Sequence, residues 1–291
     1  PRGVGQNPPA GAIVDVWLKD APPKKPGPKD ALTLEILDGE TVLRTFTSER
    51  KEAEDAPAED EAEKPLELKQ GLNRLSWDLR MLKPSLVPKA IIWGPRAGPL
   101  VAPGTYTARV KQGGTVLAET IEAVANPMVK ASAADLKKQS VFLASVRDRL
   151  SETHEAALTC RDVKKQVKDV SERAARLGKK EPLAEKGKAL SEKLTAIEEQ
   201  LVNPKVKSEQ DVLNFPPQLD HQFVGVASVA GSGEGAPLAS SVAYFGQLEV
   251  RLADLKRQLQ SVLDTDLADF NRTVAEQGVP AVAPAPREGR R

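Results

Sequence analysis

In the first part of the chain apolar residues recur at every second position, in short runs over 12–18, 32–38, 42–47, 72–79, 106–111 and 115–124. A period of two sets alternate side chains on one face of an extended backbone, so these runs predict half-buried β-strands. The turn residues agree: Asp38-Gly39 and Gly113-Gly114 join neighbouring runs as hairpins, and Pro103-Gly104 opens the run holding Tyr106. The expected unit is an Ig- or fibronectin-III-like antiparallel β-sandwich over residues 1–128. Two interruptions, a Pro/Lys-rich stretch at 22–30 and an acidic insertion at about 49–65, read as solvated loops.

After Asn126-Pro127 the period becomes helical, with Ser132 placed to cap the first helix. Leu143, Val146, Leu150, Thr153, Ala157 and Cys160 form a heptad-like seam, which Val163, Val167, Val170, Ala174 and Leu177 continue after one slip. Leu183, Leu190, Leu194, Ile197 and Leu201 mark a second helix, weakened by Gly187 by roughly 1 kcal/mol relative to alanine. Leu219, Phe223 and Val226 mark a third. A fourth runs from Leu238 through Val242, Phe245, Leu248, Leu252, Leu255, Leu259 and Val262 toward Phe270 and Val274.

Helices with one apolar stripe each must bury it against one another, which predicts an antiparallel α-helical bundle over 129–277. A Pro-, Ala- and Arg-rich tail at 278–291 is expected to fray. The fold class is thus α+β and multidomain, sandwich first and bundle second.

Length and charge add limits. The 291 residues suffice for two domains with cores of their own. Forty-two basic against 41 acidic residues argue against a surface dedicated to nucleic acid. A single cysteine, Cys160, excludes an intramolecular disulfide. No apolar run nears the ~18 residues of a spanning helix, so no membrane insertion is expected. The first residues, Pro-Arg-Gly-Val-Gly, suggest a piece of a longer protein.

Catalytic patterns are sparse. His154 and His221 fall in different predicted helices without HxxxH, HExxH or ExxH spacing, so no metal site is expected. No GxSxG elbow occurs. The glycine-rich run 231–235 lacks the preceding strand and the Lys-Ser/Thr end of a phosphate loop, and reads as a helix connection. Cys160 sits on the seam as a small buried hydrophobe. Adjacent acids such as Glu198 and Glu199 read as a solvated helix face. No catalytic, cofactor-binding or metal-ligating residue is therefore assigned.

Three residues are candidates for a contact surface. Trp93 and Arg96 lie in the Gly/Pro-rich stretch IIWGPRAGP, where an aromatic is not obviously core. Phe215 belongs to DVLNFPP, whose prolines are expected to hold the chain extended across the bundle. In GLNRLSWDLR, by contrast, Leu75, Trp77 and Leu79 share one strand face, and Trp77 is expected to be core.

Several of these stretches occur together in a recognisable order: GQNPPAGAIVDVWL, LTLEILDGETVLRTF, GLNRLSWDLR, GPLVAPGTYTARV, KLTAIEEQLVNPK and DVLNFPPQL. The chain resembles the C-terminal region of bacterial sortilin-type or BNR-repeat "glycosyl hydrolase" proteins. There, a β-propeller precedes a sandwich like that of flagellar hook-capping proteins and then a helical region. The resemblance implies an exported protein, periplasmic or extracellular, whose propeller is missing here because no ~40–50-residue repeat occurs. It departs from that pattern in the acidic insertion.

The function expected is a non-catalytic accessory and protein-interaction region beside a propeller. One alternative is a carbohydrate-binding module in which Trp93, with Trp17 or Tyr106, stacks on sugars. Another is a helical module that oligomerises or docks a partner.

Overall fold

The computed structural model describes residues 11–49, 64–179 and 181–281, apart from the side chain at position 209. Most of the acidic insertion, the first ten residues and most of the predicted tail lie outside the described residues. Strands β1 (Ala12–Leu18) and β4 (Gly71–Trp77) pair antiparallel as a two-stranded sheet. Strands β2 (Thr33–Asp38), β3 (Thr41–Thr47), β5 (Gly104–Gln112) and β6 (Thr115–Ala123) form a second antiparallel sheet in the order β3-β2-β5-β6. Each matches a predicted run to within about two residues at either end.

Both sheets contribute to one apolar core. Leu18, Leu75 and Trp77 come from the first, Leu34, Ile36, Tyr106 and Ala108 from the second. The Trp77 ring meets the Tyr106 ring edge-on at 5.5 Å, and its indole N–H donates to the Arg80 carbonyl at 2.9 Å. The Tyr106 hydroxyl donates back to the Ala102 carbonyl at 2.6 Å. Asn73 is the polar member of the inward face of β4, and it is satisfied: its side chain accepts from the Lys69 N–H and donates to the Lys69 and Gly71 carbonyls. β4 was expected to reach residue 79. It stops at Trp77 because Leu79 adopts φ 59°, a left-handed conformation that a strand cannot continue through.

The helical region comprises α1 (Ala133–Arg176), α2 (Leu183–Leu201), α3 (Leu219–Ala230), α4 (Ala239–Val262) and α5 (Ala268–Glu276). A π-helical turn, Leu263–Leu267, joins α4 to α5 without a break, so the predicted fourth helix is continuous. Ser132 caps α1: its hydroxyl accepts from the Asp135 N–H and donates to the Asp135 carboxylate. The predicted stripes are buried together, including Val146, Leu150 and Cys160 of α1, Leu190 and Leu194 of α2, Phe223 of α3 and Leu252 of α4. Leu177, Leu238 and Val242, expected on the same seams, are exposed because they stand at helix ends.

Three local expectations need correction. The 211–217 stretch is not extended throughout, since Glu209–Leu213 is a 3₁₀ turn whose Asp211 carboxylate accepts from the Lys207 and Ser208 N–H groups. Leu213 is exposed there and Phe215 half-buried. Val279, placed in the fraying tail by its composition, is buried in the helical core and donates its N–H to the Val274 carbonyl. Finally, Val87 and Ile92 precede the period change near residue 126, yet they belong to the helical core.

Candidate functional site

That last feature builds the site. The loop over 81–99 is closed at its base by main-chain bonds from Met81 to Pro99 and from Val101 to Leu79, each 2.9 Å. From that base it reaches across to the helices. Its Ser85 N–H donates to Ser151 Oγ at 3.1 Å, and its Val87 N–H donates to His154 Nδ1 at 3.2 Å. Burying Val87 and Ile92 stabilises the docked loop by roughly 1.5–3 kcal/mol per side chain. Gly94, at φ 140°, lets the backbone lie against α3, where a Cβ would stand 2.3 Å from Val224 Cγ1.

Where this loop meets α1, the end of α2 and the start of α3, a cavity of about 190 Å3 remains. Val87, Ile91, Val202 and Pro204 supply apolar wall, while Lys89, His154, Arg161, Asn203, Asp220 and His221 supply polar groups. Because a main-chain N–H can only donate, His154 Nδ1 carries the lone pair, and the neutral ring bears its proton on Nε2. His154 is 1% exposed, and burial pushes its pKa down to about 4. Arg161 and His221 push the same way; Asp220 opposes them.

His221 is set up in the opposite sense. Its Nδ1 lies 3.0 Å from Asp220 Oδ1, and a carboxylate oxygen accepts, so Nδ1 bears a proton and donates it to Asp220. The same carboxylate oxygen accepts from the His221 main-chain N–H at 2.7 Å, fixing the pair at the first turn of α3. Nε2 of His154 and Nε2 of His221 are both buried without a hydrogen-bond partner among the described residues.

Behind the cavity, Glu198 of α2 binds α1 through two cations. Arg161 Nε donates to it at 2.6 Å and Lys164 Nζ at 2.5 Å, with the carboxylate almost fully buried. The acid read from sequence as part of a solvated face is therefore an inter-helix tie. No family model, curated protein or solved structure matches the chain. The site rests on its own geometry.

Among the described residues no group of three or more His, Cys, Asp and Glu is placed to hold a metal ion. Cys160 is fully buried on the seam, and burial pushes its thiol up to about 11. What the cavity offers is polar side chains set in apolar wall: two imidazole rings, a carboxylate, a guanidinium, an ammonium and an amide.

The sequence-named contact residues lie elsewhere. Trp93 is 46% exposed on the loop, and Arg96, also exposed, donates to the Ile92 carbonyl at 3.3 Å. Phe215 stands in a separate connection before α3. Tyr106 cannot serve as a sugar platform, because its ring is packed on Trp77 in the core. Trp17 is 72% exposed, beside Leu72 across the β1–β4 pair. The sequence singles out both histidines but does not bring them together, because they lie far apart in the chain and no local spacing encodes their meeting.

Between the sheets and the helices lies a larger, mainly apolar cleft of about 620 Å3, with Leu79, Val101, Leu143, Leu150 and Val224 on its walls. No helix of the described residues is long and apolar enough to cross a membrane.

Proposed function

We propose that this chain is a non-catalytic accessory and protein-interaction region, and that the outer face of the β1–β4 sheet docks a β-propeller domain of the same protein or of another. Exposure of Trp17 and its cross-strand neighbour Leu72 carries the reading. Ile13 is exposed on that face too, and the Asp15–Arg74 pair at 2.9 Å lies between, giving apolar anchors around a polar centre. Tryptophan in such a setting is a common hot spot of binding. The propeller as occupant, and export of the protein, come from the sequence resemblance to sortilin-type proteins.

The finer fold belongs to the same proposal: an Ig/fibronectin-III-like sandwich followed by an antiparallel bundle. In its favour, two antiparallel sheets share a core centred on a buried tryptophan, and the Tyr106–Ala102 bond resembles the tyrosine corner of such sandwiches. A helical docking role is less favoured, since the predicted seams are already buried within the chain.

The test is calorimetric titration of the chain with a propeller domain from the resembled proteins. Binding that weakens at least tenfold in both Trp17→Ala and Leu72→Ala supports the reading. Unchanged binding in the two variants sinks it, and glycan binding lost in Trp17→Ala without any propeller binding replaces it with the carbohydrate-binding alternative.

A further inference from the structure

The two edges of the four-stranded sheet are finished differently. On β3 the Thr47 and Leu43 carbonyls accept from the Leu66 and Leu82 N–H groups, each at 2.8 Å, so other parts of the chain cover that strand. β6 is the opposite edge, and among the described residues Thr115–Ala123 makes main-chain bonds to β5 alone. Its outer side therefore leaves alternate N–H and C=O groups to water, the arrangement to which a further strand can bond.

Edge strands are ordinarily made short, bulged, covered or charged against such pairing. β6 runs for nine residues in unbroken register with β5, holds no proline, and is exposed at every residue from Thr115 to Thr120. Val116 and Leu117, 55% and 64% exposed, lie on opposite faces of it and offer apolar contact to a neighbour. Its one protection is charge. Glu119 and Glu122 are exposed and form no ion pair among the described residues, and the strand carries no basic residue.

That charge selects the occupant. A second copy would bring two glutamates from each chain and no cation to one seam, and like charges across a strand pair are destabilising. A strand with lysine or arginine opposite each glutamate gains two cross-strand ion pairs instead. Glu119 and Glu122 are three positions apart and so stand on opposite faces, which requires the partner's cations to be three apart as well. We propose that the outer edge of β6 takes up an extended basic segment of another protein as a fifth strand of the sheet. This edge is separate from the β1–β4 face, and its role does not depend on the docking argued there.

The full chain, labelled with 15N, is titrated at low salt with a nine-residue peptide of valine and threonine that has lysine at its third and sixth residues. Two further peptides serve for comparison. One carries glutamate in place of both lysines; the other keeps the lysines but has proline at its fourth and seventh residues, which interrupts each of its edges. The lysine peptide is expected to bind saturably, at least tenfold more tightly than either of the others, and to shift the main-chain amide resonances of β6 most. In the double variant Glu119→Lys, Glu122→Lys the preference between lysine and glutamate peptides should reverse. No saturable binding of the lysine peptide to the unmutated chain overturns the proposal, as does equal binding of the glutamate or the proline peptide, whether or not the variant folds. A doubled mass of the unmutated chain without peptide, with its β6 amides protected from exchange, gives the edge to a second copy and overturns it too.

Discussion

The Val87 main-chain N–H and the His154 imidazole, 67 positions apart, are joined by a bond of 3.2 Å that fastens a loop of the β region to the first helix. The bond needs a lone pair on Nδ1, and protonating the ring would set two donors against each other. A connection between the two regions therefore rests on one histidine staying neutral.

Acid should loosen that connection. Native His154 stays neutral down to about pH 4, chiefly through burial, whereas its ordinary value is 6.5. Its pKa is lowered in the native state, so the unfolded chain takes up the proton first and stability rises with pH across this window. The contribution is intact above about pH 6.5 and is lost progressively as pH falls toward 4. At pH 4.5 the loss is roughly 2–3 kcal/mol, at about 1.4 kcal/mol per pH unit. Urea midpoints of the unmutated chain and His154→Gln at pH 7 and 4.5 check this, because other groups titrate alike in both. Equal losses in the two proteins would rule out the assignment.

Two tryptophans on neighbouring strands should behave in opposite ways. Trp77 is fully buried against Tyr106, and truncation to alanine should cost about 3–5 kcal/mol. Trp17 projects to solvent from β1, and its truncation should change stability by no more than about 0.5 kcal/mol. Urea denaturation of both variants separates them. A large loss in Trp17→Ala would mean that its ring supports the fold rather than a contact.

Strands and helices were legible because each has a period that its own residues set. The alternation around Trp77 and the three-four spacing of Val146, Leu150 and Cys160 state which face is buried without reference to any other part of the chain. The 81–99 loop has no such period, so nothing local says that Val87 and Ile92 leave the strands to join the helices. Leu79 reads as one more alternating residue until its φ is known. His154 and His221 illustrate the same limit at the cavity, since each ring is defined by a partner and the space they share is a product of packing. Glu198 was misjudged for a related reason: a carboxylate on an apolar face finds its cations on another helix.

Removing that carboxylate's charge should be felt between α1 and α2. Glu198→Gln keeps the volume but leaves Arg161 and Lys164 facing a neutral amide. Severing a fully buried pair costs about 3–5 kcal/mol. Here the Arg161 and Lys164 side chains are 37% and 24% exposed and can recover water, so a loss of about 1–3 kcal/mol is expected. Urea unfolding at low and at moderate salt reads it. A loss under 0.5 kcal/mol would assign the tie no structural weight.

Two helix glycines test how closely the helices pack. Alanine is favoured over glycine within a helix by about 1 kcal/mol, so Gly246→Ala in α4, where the new methyl meets nothing within 4 Å, should stabilise by up to that amount. Gly187 of α2 has the same propensity to gain but no room: its Cβ would stand 2.8 Å from Ser171 Oγ, 3.1 Å from Val167 Cγ1 and 3.3 Å from Phe270 Cε2. Turning the Ser171 hydroxyl aside relieves the first contact, while the Val167 and Phe270 contacts involve packed side chains. Overpacking of this kind costs about 1–3 kcal/mol, which outweighs the propensity gain, so Gly187→Ala should be net destabilising by up to about 2 kcal/mol. Urea midpoints of the two variants should therefore move in opposite directions. Movement of both toward higher urea would show that α2 can withdraw from α1 and α5 at little cost, and that the glycine is not what lets them approach.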